Sequence, residues 1–76
     1  MVVECNGERV AVEIKSRNDD AIRGLAELAV AKAYGYEKCV LVTTKKKALS
    51  LDLKPFNHHG FQLAYVNSNG EMHFRA

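Results

Sequence analysis

Asn6-Gly7 separates two runs of strand-forming residues, Met1 to Cys5 (MVVEC) and Glu8 to Lys15 (ERVAVEIK). No other dipeptide in the chain constrains the fold as tightly. A two-residue type I′ turn needs φ > 0 at both central positions, and Asn-Gly tolerates this best. With that loop, Cys5 opposes Glu8, Val3 opposes Val10 and Met1 opposes Val12. In the second run Val10, Val12 and Ile14 alternate with Arg9, Ala11, Glu13 and Lys15, so one face is apolar. Val2, Val3, Val10, Val12 and Ile14 are expected in a core or an interface. Glu13 falls opposite the position just before Met1.

Beyond this hairpin, Ser16, Asn18 and Asp19 can each cap a helix, and acids at its start suit the macrodipole. From Asp19 to Tyr34, Ile22, Leu25, Ala26, Ala29, Val30 and Ala33 recur at helical spacing, and Leu28 with the alanines widens the stripe. The spacing predicts a largely buried helix closed by Gly35. Lys38 to Thr44 (KCVLVTT) is an apolar run suited to a central strand buried on both faces. Strand, helix, strand is a crossover unit, so the two strands are expected parallel and right-handed. Between residues 45 and 60, Leu49, Leu51 and Leu53 alternate, while Leu49, Leu53 and Phe56 fit a helix. This stretch reads as a loop with helical turns, one opened by Pro55, running to His59 and closed by Gly60. Phe61 to Val66 and Glu71 to Arg75 read as a terminal hairpin around Asn67-Ser68-Asn69-Gly70. The fold class is α/β: a small mixed sheet of about five strands with one long crossover helix.

At 76 residues the chain is a single domain, 1–76. A chain this short buries only roughly 60% of its unfolded surface, which excludes an enzyme with separate cofactor and substrate domains. With 47% apolar and 26% charged residues it is not a disordered chain. A net charge of +2 permits nucleic acid as a partner without requiring it. Cys5 and Cys39 lie in apolar runs without metal-ligand spacing and read as buried thiols in a reducing compartment. Neither a membrane span nor a signal peptide is legible, so a cytoplasmic location is expected. The SRNDD segment after the hairpin lacks a glycine-rich phosphate loop, which argues against a nucleotide cofactor.

Chemistry concentrates at Glu13-Ile14-Lys15. Period two puts Glu13 and Lys15 on one face, about 7 Å apart along the strand. A carboxylate can hold Mg²⁺ while waters and a substrate phosphate fill its other positions. A neighbouring ammonium can orient a water or offset charge growing on phosphorus-bound oxygens. The bland alternative is a solvated Glu-Lys pair. Lys45-Lys46-Lys47 follows the parallel strand, where α/β proteins commonly place ligands. With Arg17 and Arg23 it could track a phosphate backbone, or be a solvated loop. His58-His59 is poorly spaced for chelating one ion, and His73 is expected on a solvent face. Tyr34, Tyr36 and Tyr65 read as core and rim aromatics.

The hairpin with its Asn-Gly turn, VEIKSR, a helix ending in AYG, KCVLVT and GFQLAYV together resemble the PD-(D/E)XK nuclease superfamily. Within it the chain is most similar to archaeal Holliday-junction resolvases and small RecB-like nucleases. The resemblance implies a restriction-endonuclease-like core and hydrolysis of DNA, branched DNA included, with Mg²⁺ or Mn²⁺. It implies Glu13 as metal ligand, the Ile14 carbonyl as a further ligand and Lys15 as an aid to hydrolysis, with Arg23 or Glu27 reaching in from the helix. In one respect the chain departs from the family. The Asp of the PD half should sit across from Glu13, upstream of Met1, and the family's first helix would precede it. Glu4 shares the face of Glu13 but lies roughly 13 Å away at about 3.3 Å per residue, too far to share a metal. The missing acid could come from a partner strand or second subunit, or the chain could be a nuclease fragment. Alternatively, it could be an inactive relative serving assembly or nucleic-acid binding, or hold an ion only weakly. Without the first helix one sheet face is left uncovered, and a homodimer or larger homo-oligomer is expected.

Overall fold

The computed structural model describes residues 1–16 and 18–75. Strand β1 (Val2–Cys5) turns through Asn6 (φ 53°) and Gly7 (φ 80°) into β2 (Glu8–Ile14). Both central residues adopt the left-handed conformation that a type I′ turn requires. The antiparallel register pairs Val3 with Val10 and Cys5 with Glu8, as the turn dictates. Met1 and Val12 then exchange backbone hydrogen bonds of 3.0 and 2.7 Å.

Helix α1 (Ala21–Ala33) carries the chain to β3 (Lys38–Thr44), which runs parallel to β2. Two short helices, α2 (Lys45–Ser50) and α3 (Lys54–His59), occupy the stretch from 45 to 60 read as a loop with helical turns, α3 being the turn expected from Pro55 to His59. Thr44 caps α2 by accepting from the Lys47 amide, and Pro55 and the left-handed Gly60 bracket α3 as expected. Alternating leucines had allowed a strand here. Instead, Ala48 and Phe56 are drawn under the sheet from two separate short helices. Strand β4 (Gln62–Val66) is parallel to β3, and β5 (Met72–Arg75) closes the terminal hairpin antiparallel to β4. The result is a five-stranded mixed sheet in the order β1-β2-β3-β4-β5.

All three helices contribute to one face of the sheet. Leu28, Leu41, Phe56 and Leu63 are completely enclosed there, with Ala21, Leu25 and Cys39 beside them. The Arg75 guanidinium donates to the Ala48 and Leu51 carbonyls and so ties β5 to α2. As expected, β3 is buried from Cys39 to Thr43.

Helix α1 departs from the expected stripe. Ala21, Gly24, Leu25 and Leu28 face the sheet, whereas Ile22, Ala26, Ala29, Val30 and Ala33 face outward. Small residues at 21 and 24 let the helix backbone approach the strands, and this close approach fixes the phase. Asp20 caps the helix by accepting from the Ile22 amide, while Asp19 accepts from the Ser16 amide. Cys39 is buried, but Cys5 is exposed at the end of β1. Val2 pairs with Ala11 on the helix side. Among the described residues no element covers the other face, which Val3, Val10, Val12, Ile14, Val40 and Val42 share. No described helix is long and apolar enough to cross a membrane.

Candidate functional site

Glu13 is the penultimate residue of β2, and Lys15 follows the strand's end on the same face. The Lys15 amide donates to the Val42 carbonyl at 2.9 Å, extending the parallel ladder and fixing where the side chain starts. Its ammonium donates to Glu27 Oε1 at 2.9 Å and lies 4.0 Å from Glu13 Oε2. Glu27 stands one helical turn beyond Gly24, on the edge of α1 that passes over β2. Glu27, remote in sequence, thus joins Glu13 and Lys15 at the carboxyl end of β2. Lys15 and Glu13 are largely shielded, with 14% and 24% of their side chains accessible, and Glu27 is more open at 39%.

Burial raises the Glu13 carboxyl above its ordinary value, and the hydrogen bond and repulsion from Glu27 add to the effect. Glu27 is held below its ordinary value by the Lys15 ammonium and by the hydrogen bond with Glu13. The two carboxyls are thus pushed in opposite directions, Glu13 upward and Glu27 downward. The hydrogen bond to Glu27 raises Lys15 in turn.

Gly24 sets this geometry. A Cβ there would lie 2.7 Å from Leu41 Cδ1 and 3.2 Å from Lys15 Cε. Its bare backbone leaves the passage through which the Lys15 stem reaches Glu27. The sequence signal was a lone glycine inside a strongly helical run, a position that ordinarily costs stability.

Beside the cluster lies a cleft of about 590 Å³ lined by Asn18, Thr44, Lys46, Lys47 and Ser50. It opens at the carboxyl end of β3, where parallel sheets commonly bind ligands. The Lys47 ammonium donates to the Asp19 carbonyl. The Asp19 carboxyl is lowered mainly by hydrogen bonds from Ser16, with smaller contributions from Lys15 and Lys47. Lys45 and Lys46 are exposed. Contrary to the loop expected, the three lysines form the first turn of α2.

Of the other candidates, Arg23 is 80% exposed and 4.0 Å from Glu27, at the rim of the cluster. The Ile14 side chain points to the opposite face, which leaves only its backbone on the Glu13 side. Arg17 lies outside the described residues. Glu4 pairs with Arg9, well down the hairpin from Glu13. His73 stacks on Tyr65, and His59 on Phe61. Among the described residues no three His, Cys, Asp or Glu side chains gather as a metal-binding group. Set against family models, curated proteins and solved structures, the chain matches none of them.

Proposed function

We propose that this chain is a divalent-metal-dependent DNA endonuclease of the PD-(D/E)XK type, with Glu13, Lys15 and Glu27 at its centre. The observation that carries the reading is the delivery of Glu27 to the Glu13-x-Lys15 element. An incidental Glu-x-Lys on a strand has no reason to recruit a second carboxylate. The order hairpin, helix, parallel strand, with the acid and lysine ending the second hairpin strand, supports a restriction-endonuclease-like core.

The residues suit Mg²⁺ or Mn²⁺. Two carboxyls that repel each other form a site where a divalent cation can offset both charges. Glu13 would hold it, with the Ile14 carbonyl and Glu27 as neighbouring oxygens. Bound there, the metal would supply Lewis-acid activation of a water and of the phosphate. Lys15, kept charged by Glu27, offsets negative charge on the phosphate oxygens and keeps its ammonium in one place. Lys45, Lys46 and Lys47, with the Arg23 guanidinium at the rim, receive the phosphate backbone along the cleft.

The test is cleavage of linear, single-stranded and four-way-junction DNA with Mg²⁺ or Mn²⁺. Cutting should vanish with a chelator and in Glu13→Ala, and fall at least tenfold in Lys15→Ala. Lys45→Ala with Lys46→Ala should weaken DNA binding and reduce the salt slope by about 0.9 for each phosphate no longer neutralised. Absence of cutting, or equal cutting by Glu13→Ala, would refute the enzyme. The second reading, an inactive nuclease-like module for assembly or nucleic-acid binding, is favoured by the absence of a third metal-ligating side chain among the described residues.

A further inference from the structure

The uncovered face of the sheet has a shape of its own. Its centre is made of small side chains, Val40, Val42 and Ala64, flanked by Val10 and Val12. Its rim carries large ones: Met1, Ile14, Met72 and Phe74 are each more than half exposed. The face is therefore a dish, with a hollow of about 460 Å³ lined entirely by apolar side chains. Glu8 and Lys38 form an ion pair of 3.5 Å at one end of it and leave the dish uncharged.

We propose that this dish is the interface of a homodimer, packed sheet against sheet. Three observations select a second copy as the occupant. The rim side chains together with Val3 and Val66 are each 40% or more exposed and form one contiguous apolar surface, the kind of patch that marks an association site, where a standard interface takes roughly 800 Å² per partner. The lining has no side-chain hydrogen-bonding group beyond a thiol, so it offers a polar partner nothing to read. Knob and hole also occur on one surface, as an isologous two-fold interface requires: the rim of each copy enters the hollow of the other. Two sheets packed this way sit about 10 Å apart with interdigitating side chains. The outer stripe of α1, Ile22 to Val30, is also apolar, but alanines dominate it and it has no hollow to fill. The proposal does not depend on nuclease activity.

Sedimentation equilibrium on the whole chain tests it. The wild type should be dimeric at micromolar concentration. Phe74→Lys and Met72→Lys lie on an edge strand that tolerates charge. Each should raise the dimer dissociation constant at least tenfold while circular dichroism stays unchanged, and Val30→Lys should leave it unchanged. Cys5 lines the dish and Cys39 is buried, so alkylation of Cys5 should slow as wild-type concentration rises and should not do so in Phe74→Lys. A wild type that sediments as a monomer throughout the micromolar range would overturn the proposal and leave the face to another occupant. Dissociation by Val30→Lys alone would overturn it in favour of the helix.

Discussion

Gly24 and Glu13 each give up stability for the geometry of the cluster. An alanine in place of Gly24 would gain about 1 kcal/mol of helix propensity. Its methyl would meet Leu41, which is completely buried and cannot swing aside, and would push on the Lys15 stem. Overpacking of this kind costs about 1–3 kcal/mol, so Gly24→Ala should come out destabilised by about 1 kcal/mol in urea unfolding. An unchanged or higher urea midpoint would show that the passage is not needed. For Glu13 the sign follows from its raised value. Its contribution to stability is complete below the ordinary value of 4.5 and is lost as pH rises through the higher folded value. Glu13→Gln removes that loss and should melt above the wild type at pH 7. The gap should close as pH falls toward 4. Glu27 acts in the opposite sense: its lowered value stabilises above 4.5 and fades on acidification, so Glu27→Gln should not raise the melting temperature.

At the scale of elements, the first hairpin and α1 differ in how far local chemistry decides them. The Asn6-Gly7 turn sets its own register, and each residue of β1 faces the partner that the turn assigns. A Cβ on Gly7 would touch nothing, so Gly7→Ala should cost only the backbone penalty of a left-handed residue, about 1–2 kcal/mol. A larger loss in thermal or urea unfolding would mean that the turn has a packing role as well. Helix α1 is different, because two apolar stripes compete along it. The richer one, with Ile22 and Val30, faces outward. The winning side carries the small residues that fit against β2 and β3, and the same phase brings Glu27 to Lys15. In α2 and α3, period two and period 3.6 both suited the leucines. The Thr44 cap, Pro55 and the left-handed Gly60 favour helices there.

Across the whole molecule, one sheet separates two environments. The helix side is closed and holds the core, with the carboxylate cluster and the lysine cleft at its carboxyl edge. The opposite side is an apolar dish. Val12 sits in the half-buried middle of that dish against Val40 and Val42. Val12→Asp would place a carboxylate with no partner on an apolar surface, and should lower stability by about 2–3 kcal/mol or abolish the soluble fold. A soluble variant with unchanged urea midpoint and unchanged size would contradict this assignment of faces.

The sequence by itself determined what depends on neighbouring residues. These features are the turn and register of the first hairpin, the existence of α1, the buried central strand, the parallel crossover pairing and the terminal hairpin. Each follows from backbone preferences or from periodicity over a few residues. It also singled out Glu13 and Lys15, because period two places them side by side. Tertiary structure alone decided which stripe of α1 is buried, that Glu27 rather than Arg23 reaches into the site, and that Gly24 makes room for its pairing with Lys15. It also decided that Cys5 is exposed and that Val2 lies on the helix side. These outcomes depend on how closely two backbones can approach and on which faces another element covers. Residues far apart in the chain set both together, so no local pattern encodes them.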